Sequence, residues 1–158
     1  MASLKALKPP PAQKYKEQYL KAFADAMNDT KKDMLQDYRD TVSTWKHKVR
    51  FVASQPKSEG GNYVLTVGTD DKIYGYVDKG TKPHIIRAKR SPYLRYRKGY
   101  KAKTIPLALR SRTGGASGGW GAAEVVHHPG TEARQFSVII SERAQAKFVR
   151  YLAKRMKP

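Results

Sequence analysis

The sequence predicts an α+β domain in which N-terminal helices and a C-terminal helix pack on a small antiparallel sheet. Apolar residues recur with helical spacing near both ends of the chain, whereas alternation and β-branched runs occupy its middle. The length of 158 residues suffices for one domain. We expect an extended arm over residues 1–12 and a single domain over residues 13–158, with a basic hairpin and a glycine-rich loop projecting from the sheet.

The N-terminal arm and the first helices follow from proline and from helical periodicity. Pro9–Pro11 excludes helix and favours polyproline II, and such arms often become ordered only against a partner. After the arm, apolar residues recur with helical spacing. Asn28-Asp29 interrupts this apolar stripe, and Thr30 then fits the capping box of a second helix. We therefore favour two helices or one kinked helix between residues 13 and 45. One long helix is the alternative, because the two apolar stripes are nearly in phase.

Three strands in an antiparallel meander are expected next. Side chains alternate around Val49–Ala53, and Tyr63–Val67 is a run of residues that favour strands. Ile73–Val77 is predicted to be the third strand, after a tight turn at Asp70-Asp71. His84–Arg87 begins a further short extended segment.

The second half of the chain contains the predicted hairpin, the predicted loop and the last helix. Residues 87–106 alternate aromatic and basic residues, and Lys98-Gly99 suits a turn between two short strands. Residues 110–122 contain five glycines, which predicts a flexible loop. A strand over Ala123–Val126 and a turn precede the C-terminal helix, whose final cations suit a helix C-terminus.

The charge of the chain is large and local. The net charge is +19, and residues 81–112 contribute eleven basic residues and no acidic ones. Such a charge implies an anionic partner, either nucleic acid or an acidic protein surface. The candidate contact residues for DNA or a partner protein are the basic side chains of this segment: Arg87, Lys89, Arg90, Arg95, Arg97, Lys98, Lys101, Lys103, Arg110 and Arg112.

Other classes of protein are disfavoured by what the sequence lacks. The chain has no cysteine, which excludes disulfides, thiolate metal sites and thiol nucleophiles. It has no apolar run of the length that a signal peptide or a membrane helix needs, so we expect no membrane partner.

A metal or catalytic site would have to use the histidines. His84, His127 and His128 could combine with Asp78 or Glu124. Adjacent histidines on a strand point to opposite faces, however, and the chain shows no paired carboxylates, phosphate-binding loop or Ser-His-Asp arrangement. We therefore predict turn or surface histidines, no cofactor and no enzymatic activity.

The aromatic residues of the basic segment allow two interpretations. Tyr93, Tyr96 and Tyr100 could stack on bases between cations, as single-strand binders do. We prefer the alternative, in which one hairpin face is buried and the other is solvated. The glycine-rich loop is expected to become ordered against a neighbouring subunit, with Trp120 as its interface anchor.

Two short motifs remain, each with a Gly-Thr turn and a nearby proline. Glycine supplies a positive φ, and proline removes a hydrogen-bond donor at a strand end. The first motif, Asp-Lys-Gly-Thr-Lys-Pro-His, and the second, His-Pro-Gly-Thr, are therefore expected to define turns through the following residues: Gly80, Thr81, Pro83, His84, His128, Pro129, Gly130 and Thr131.

This ordered pair of motifs resembles the head-to-tail joining family of long-tailed bacteriophages, whose neck and tail-completion proteins are similar to lambda Z-type tail proteins. The resemblance covers about residues 31–155, from an N-terminal helix through the meander, the first motif, a basic hairpin and the second motif to a C-terminal helix. The chain departs from the family at Trp45–Val49, where members often carry an Ala-Pro-x-Asp-Thr-Gly-x-Leu turn.

The resemblance implies a non-enzymatic virion protein. It would form a homo-oligomeric ring at the head–tail junction, between connector or adaptor proteins and tail tube or tail terminator proteins, with double-stranded DNA in the lumen. Its place would be the neck or head-proximal tail of the virion, and the host cytoplasm during assembly. The family transfers no catalytic residues. The alternative function is a stand-alone basic nucleic-acid-binding module.

Overall fold

The described part of the chain forms three helices and small antiparallel sheets, which confirms the α+β class. The computed structural model describes residues 2–6, 16–59, 62–101 and 115–156. The elements within these ranges are β1 (Ala2–Ala6), α1 (Lys16–Thr41), β2 (Val52–Ala53), β3 (Lys57–Glu59), β4 (Asn62–Gly68), α2 (Lys72–Lys79), β5 (His84–Arg87), β6 (Leu94–Arg97), β7 (Tyr100–Lys101), β8 (Gly115–Ala116), β9 (Trp120–Ala123), β10 (Val125–His128) and α3 (Phe136–Arg155).

The main sheet is built around β4, which the sequence already indicated as a run of residues that favour strands. β1 pairs with one side of β4, with Leu4 opposite Leu65, and β2 and β3 pair with its other side. All pairings are antiparallel. The gap between β2 and β3 contains Pro56, which has no N–H to donate to β4. Because β1 belongs to the predicted N-terminal arm, part of this arm is a strand of the sheet. Pro9–Pro11 lies outside the described residues.

The core lies between this sheet and two long helices. Buried side chains from α1, β4 and α3 form one apolar cluster, to which α2 and the segment before β2 each add an aromatic ring. Its members with the least exposed surface include Met27, Met34, Tyr38, Leu65, Val67, Phe136 and Ile140. Within the described ranges, no helix is both long enough and apolar enough to cross a membrane.

A ladder of polar contacts joins α1 to α3 at the edge of this core. Acidic residues spaced four apart on α1 contact polar or basic residues spaced four apart on α3. The pairs follow each other in opposite order along the two helices, so the helices run antiparallel. The contacts are the Arg155–Asp29 ion pair, the Tyr151 hydroxyl donating to Asp33 at 2.6 Å, and Lys147 between Asp33 at 3.3 Å and Asp37 at 3.4 Å. The hydrogen bond to Asp33 raises the pKa of Tyr151.

The N-terminal helical region is one helix, so the expectation of two helices or a kinked one is wrong. α1 runs through Asn28-Asp29 without interruption for 26 residues. Thr30 is fully buried, and its hydroxyl donates to the carbonyl of Ala26 at 2.8 Å. Asp29 contacts α3 through Arg155. A threonine whose hydroxyl bonds back to the preceding turn fits a helix interior, and the tertiary contact of Asp29 offsets its weak helix propensity.

The predicted third strand of the meander is also wrong, because Ile73–Val77 lies within α2. The carboxylate of Asp71 accepts the N–H of Tyr74 at 2.8 Å and so caps this helix. Tyr74 and Asp78, four residues apart, are the buried side chains of α2. Burial raises the pKa of the Tyr74 hydroxyl far above its usual range, although a hydrogen bond from Thr41 opposes this shift. Helical spacing of buried positions outweighs the strand preference of these residues.

Candidate functional site

The two Gly-Thr motifs, which are about 50 residues apart in the sequence, meet in the fold. Thr81 and Thr131 form an antiparallel bridge, in which the Thr81 N–H donates to the Thr131 carbonyl at 2.9 Å and the reciprocal bond measures 3.1 Å. We call Gly80–His84 together with His128–Thr131 the turn pair. It joins the end of α2 to the segment that leads into α3.

Glycine is required at two positions of the turn pair. Gly80 has φ 75° and Gly130 has φ 93°, a region that side chains with a Cβ rarely adopt. A Cβ on Gly80 would lie 2.5 Å from the carbonyl oxygen of Thr131, and one on Gly130 would overlap the carbonyl of Thr81. Each glycine therefore permits the close approach of the opposite motif.

Asp78 connects the turn pair to the start of α3. Its carboxylate accepts the backbone N–H of Ser137 at 3.0 Å and the hydroxyl of Ser137 at 2.6 Å. Its carbonyl also accepts the N–H of Gln135 at 2.9 Å. In the sequence, Asp78 is the first residue of the first motif and was considered only as a candidate partner of the histidines. Its partner Ser137 carries no sequence signal that identifies this contact.

The histidines of the turn pair use their rings for local contacts. The rings of His84 and His128 stack with centroids 5.0 Å apart. Nδ1 of His128 accepts the N–H of Gly130 at 3.0 Å, and Nδ1 of His84 donates to the carbonyl of Lys82 at 2.9 Å. His127 occupies the next position of β10, opposite Ile85. Among the described residues, no group of three or more histidine or acidic side chains could hold a metal ion.

From the turn pair, two strands extend as one antiparallel ribbon. We define the ribbon as residues 81–101 and 115–131. β5 pairs with β10, β6 with β9 and β7 with β8, and residues 89–93 bulge out of the first strand. The predicted hairpin closed at Lys98-Gly99 is therefore wrong, since β6 and β7 pair with later strands and not with each other.

The glycine-rich segment is the second strand of the ribbon and not the predicted loop, at least from residue 115 onward. A Cβ on Gly121 would lie 2.8 Å from the ring of Tyr96, and one on Gly118 would lie 2.9 Å from Cβ of Lys98. Glycine here lets the side chains of the basic strand cross the neighbouring strand at close range. The first part of the predicted loop, residues 110–114, lies outside the described residues.

The basic residues of the ribbon lie almost entirely on its first strand. Residues 81–101 contain eight lysines and arginines and no acidic residue. Residues 115–131 contain no lysine or arginine and one acidic residue, Glu124. Among the side chains that the structure describes, none of the ribbon cations forms an ion pair with a carboxylate. Lys103, Arg110 and Arg112 lie outside the described residues. The ribbon therefore presents positive charge that the described part of the chain does not neutralise.

The aromatic side chains of the ribbon are exposed on both of its faces. Tyr93, Tyr96 and Tyr100 expose 52%, 39% and 68% of their surface, and Trp120 exposes 67%. The preferred sequence interpretation, with one buried and one solvated face, is wrong because these rings are exposed and, among the described elements, none of the core packs closely on the ribbon strands. The guanidinium carbon of Arg97 lies 4.9 Å from the ring centroid of Trp120, its partner across the strands.

No protein-family model matches the chain, and neither the curated proteins nor the solved structures include a match to it.

Proposed function

We propose that the chain is a structural virion protein of a tailed phage, which forms a homo-oligomeric ring around the DNA channel at the head–tail junction. Its partners would be further copies of itself, connector or adaptor proteins on the head side, and tail tube or tail terminator proteins on the other. It would act without a cofactor, in the neck or head-proximal tail of the virion.

The observation that carries this proposal is the turn pair. The resemblance to head-to-tail joining proteins rests on two motifs in a fixed order, and these motifs contact each other through Thr81 and Thr131. Gly80 and Gly130 each leave room for the opposite motif. The motifs are therefore one structural unit at the base of the ribbon, which gives a physical reason for their occurrence together.

The ribbon supports an assembly role through its charge and its exposure. A two-stranded ribbon with exposed aromatic rings on both faces is marginally stable in water by itself. Contact with a neighbouring subunit, with DNA in the lumen or with an acidic protein would cover the rings and neutralise the cations. In a ring the cations of residues 81–112 would be repeated around one surface, where they would attract DNA or acidic partners.

The oligomeric state of the purified protein tests the proposal. Native mass spectrometry should detect one closed oligomer, and negative-stain electron microscopy should image rings with a central channel. The protein should also copurify with tails and restore phage particles in a mutant that fails to join heads to tails. A protein that stays monomeric at high concentration, does not copurify with tails and does not restore joining would refute the ring.

The second candidate, a stand-alone nucleic-acid-binding module, is favoured by the same unpaired cations of the ribbon. It predicts a monomer that binds nucleic acid with nanomolar, salt-dependent affinity. Sedimentation velocity with and without DNA therefore separates the two candidates.

A further inference from the structure

Trp120 lies on a face of the ribbon that also carries two arginines. Arg97 is its direct partner across the strands, and Arg95, two residues before Arg97, lies on the same face opposite Ala122. Two guanidinium groups and an exposed indole thus occupy neighbouring positions. Trp120 exposes 67% of its surface.

One side of the indole is open to a ligand. The Arg97 guanidinium lies over the ring at 4.9 Å from its centroid and covers one π-face. Beside the indole lies an open groove of about 370 Å³, lined by Arg95, Trp120, Gly121 and Ala122. This volume falls within the range of pockets that hold small ligands or parts of larger ones.

The opposite face of the ribbon holds this arrangement in place. Tyr96 crosses the second strand at Gly121, where no Cβ would fit. Beyond β6, Lys98 exchanges backbone hydrogen bonds with Gly118 and Gly119 at 2.9 and 3.0 Å. The pairing of the two strands therefore places Arg97 and Trp120 directly opposite each other in the ribbon.

We propose that Arg95, Arg97 and Trp120 bind single-stranded nucleic acid, with an unpaired base stacked on the indole and the neighbouring phosphates on the two guanidinium groups. An aromatic ring flanked by cations matches a ligand that is both planar and anionic. Acidic peptides supply the charge without the planar ring, and a continuous duplex hides its base faces. Unpaired nucleotides supply both.

This inference goes beyond the proposed ring and does not depend on it. It assigns Trp120 to a nucleic-acid base, whereas the sequence suggested an anchor against a neighbouring subunit. The two roles predict different results when Trp120 is replaced. If Trp120 anchors a neighbouring subunit, the variant no longer forms oligomers. If Trp120 stacks on a base, the variant loses affinity for single strands while its oligomeric state is unchanged.

Fluorescence of Trp120 gives a direct test. The chain has two tryptophans, and a Trp45→Phe variant leaves Trp120 as the only indole. Addition of oligo(dT) should quench its emission in a saturable way, whereas poly-glutamate at the same charge concentration should not. Failure of oligo(dT) to quench the emission at saturating concentration would overturn the proposal.

Affinity measurements supply the second test, with fluorescence anisotropy of labelled oligo(dT). Trp120→Ala should weaken binding at least fivefold, because base stacking on an aromatic side chain contributes at least that factor. Trp120→Phe should retain part of the affinity. Tyr76→Ala is the matched control, since Tyr76 is 58% exposed and belongs to α2 and not to the ribbon, so its loss should leave affinity unchanged.

The arginines are tested by salt dependence. Replacing Arg95 and Arg97 by alanine should lower the slope of log affinity against log salt by about 1.4, at about 0.7 for each phosphate contact to a single strand. Arg150→Ala, on the exposed surface of α3, should leave the slope unchanged. Unaltered binding by Trp120→Ala, or equal affinity for oligo(dT), a closed DNA hairpin and poly-glutamate, would overturn base stacking.

Discussion

Asp78 acts as the N-cap of a helix that begins nearly 60 residues after it. Gln135, which directly precedes α3, has φ 54° and makes no capping bond with its side chain. The carboxylate of Asp78 accepts the N–H and the hydroxyl of Ser137 in its place, and its negative charge lies at the positive end of the α3 dipole. A single buried side chain therefore couples α2 to α3.

Asp78→Ala should destabilise the protein by about 1–3 kcal/mol, because the N–H and hydroxyl of Ser137 lose their acceptor in a largely buried position. Urea denaturation followed by circular dichroism measures the change. Asp70→Ala is the control, since Asp70 is exposed, and should change stability by no more than about 0.5 kcal/mol. Equal effects of the two substitutions would contradict the capping role.

The glycines of the turn pair lead to a second prediction at this scale. Gly80→Ala and Gly130→Ala should each cost about 2 kcal/mol or more, through a positive φ and overlap with the opposite backbone. Gly75→Ala should instead stabilise by about 0.5–1 kcal/mol, because Gly75 lies inside α2 with open space around it. Thermal unfolding of the three variants should show this difference in sign; a loss of stability in all three would contradict it.

At the scale of elements, α2 depends on the residues at its ends. Asp71 caps its first turn and also accepts a hydrogen bond from His47 at 2.5 Å. The N–H of Tyr74 is the main cause of a lowered pKa of Asp71, and the contact with His47 lowers it further. At the other end, Asp78 and Gly80 connect α2 to the second motif.

The lowered pKa of Asp71 predicts how stability depends on pH. A carboxyl whose pKa is lower in the folded state stabilises the protein above its unfolded value near 4, and this contribution disappears as pH falls through the folded pKa. Asp71→Asn retains a capping side chain but loses the charge. Its melting temperature should lie below that of the wild type at pH 7 and approach it near pH 2. A difference that is independent of pH would contradict this prediction.

At the scale of the whole molecule, the charge separates into two parts. Three acidic residues of α1, Asp29, Asp33 and Asp37, form ion pairs with basic residues of α3. The ribbon carries cations without carboxylate partners in the described part of the chain. We therefore expect the core to fold without the anion that the ribbon is proposed to bind.

A triple substitution of ribbon lysines tests this separation. Replacing Lys98, Lys101 and Lys103 by Glu should impair head–tail joining while the domain still unfolds cooperatively, because the buried apolar cluster is formed by α1, β4 and α3 together with Phe51 and Tyr74. Joining is measured by complementation, and unfolding by differential scanning calorimetry. Lys21, Lys46 and Lys48 are exposed outside the ribbon, so their replacement by Glu is the charge-matched control. Loss of the cooperative transition in the ribbon variant alone would show that the ribbon stabilises the fold.

Local spacing was enough to predict several parts of the molecule. The apolar stripes of α1 and α3, the strand β4 and the concentration of charge in residues 81–112 were evident in the sequence. Each of these depends on residues within a few positions of one another, where helical or strand periodicity decides which side chains face the core.

Tertiary contacts decided the rest. α2 is a helix because Tyr74 and Asp78 are buried together, and α1 continues through Asp29 because α3 supplies Arg155. The strands of the ribbon pair although residues 102–114 separate them in the sequence, so the turn signal at Lys98-Gly99 was misleading. The sequence by itself determined the apolar stripes of the two long helices, the strand β4 and the basic segment. Only the tertiary structure decided which distant segments meet, because contact energies between residues far apart in the chain outweigh local preferences of a few tenths of a kcal/mol up to about 1 kcal/mol.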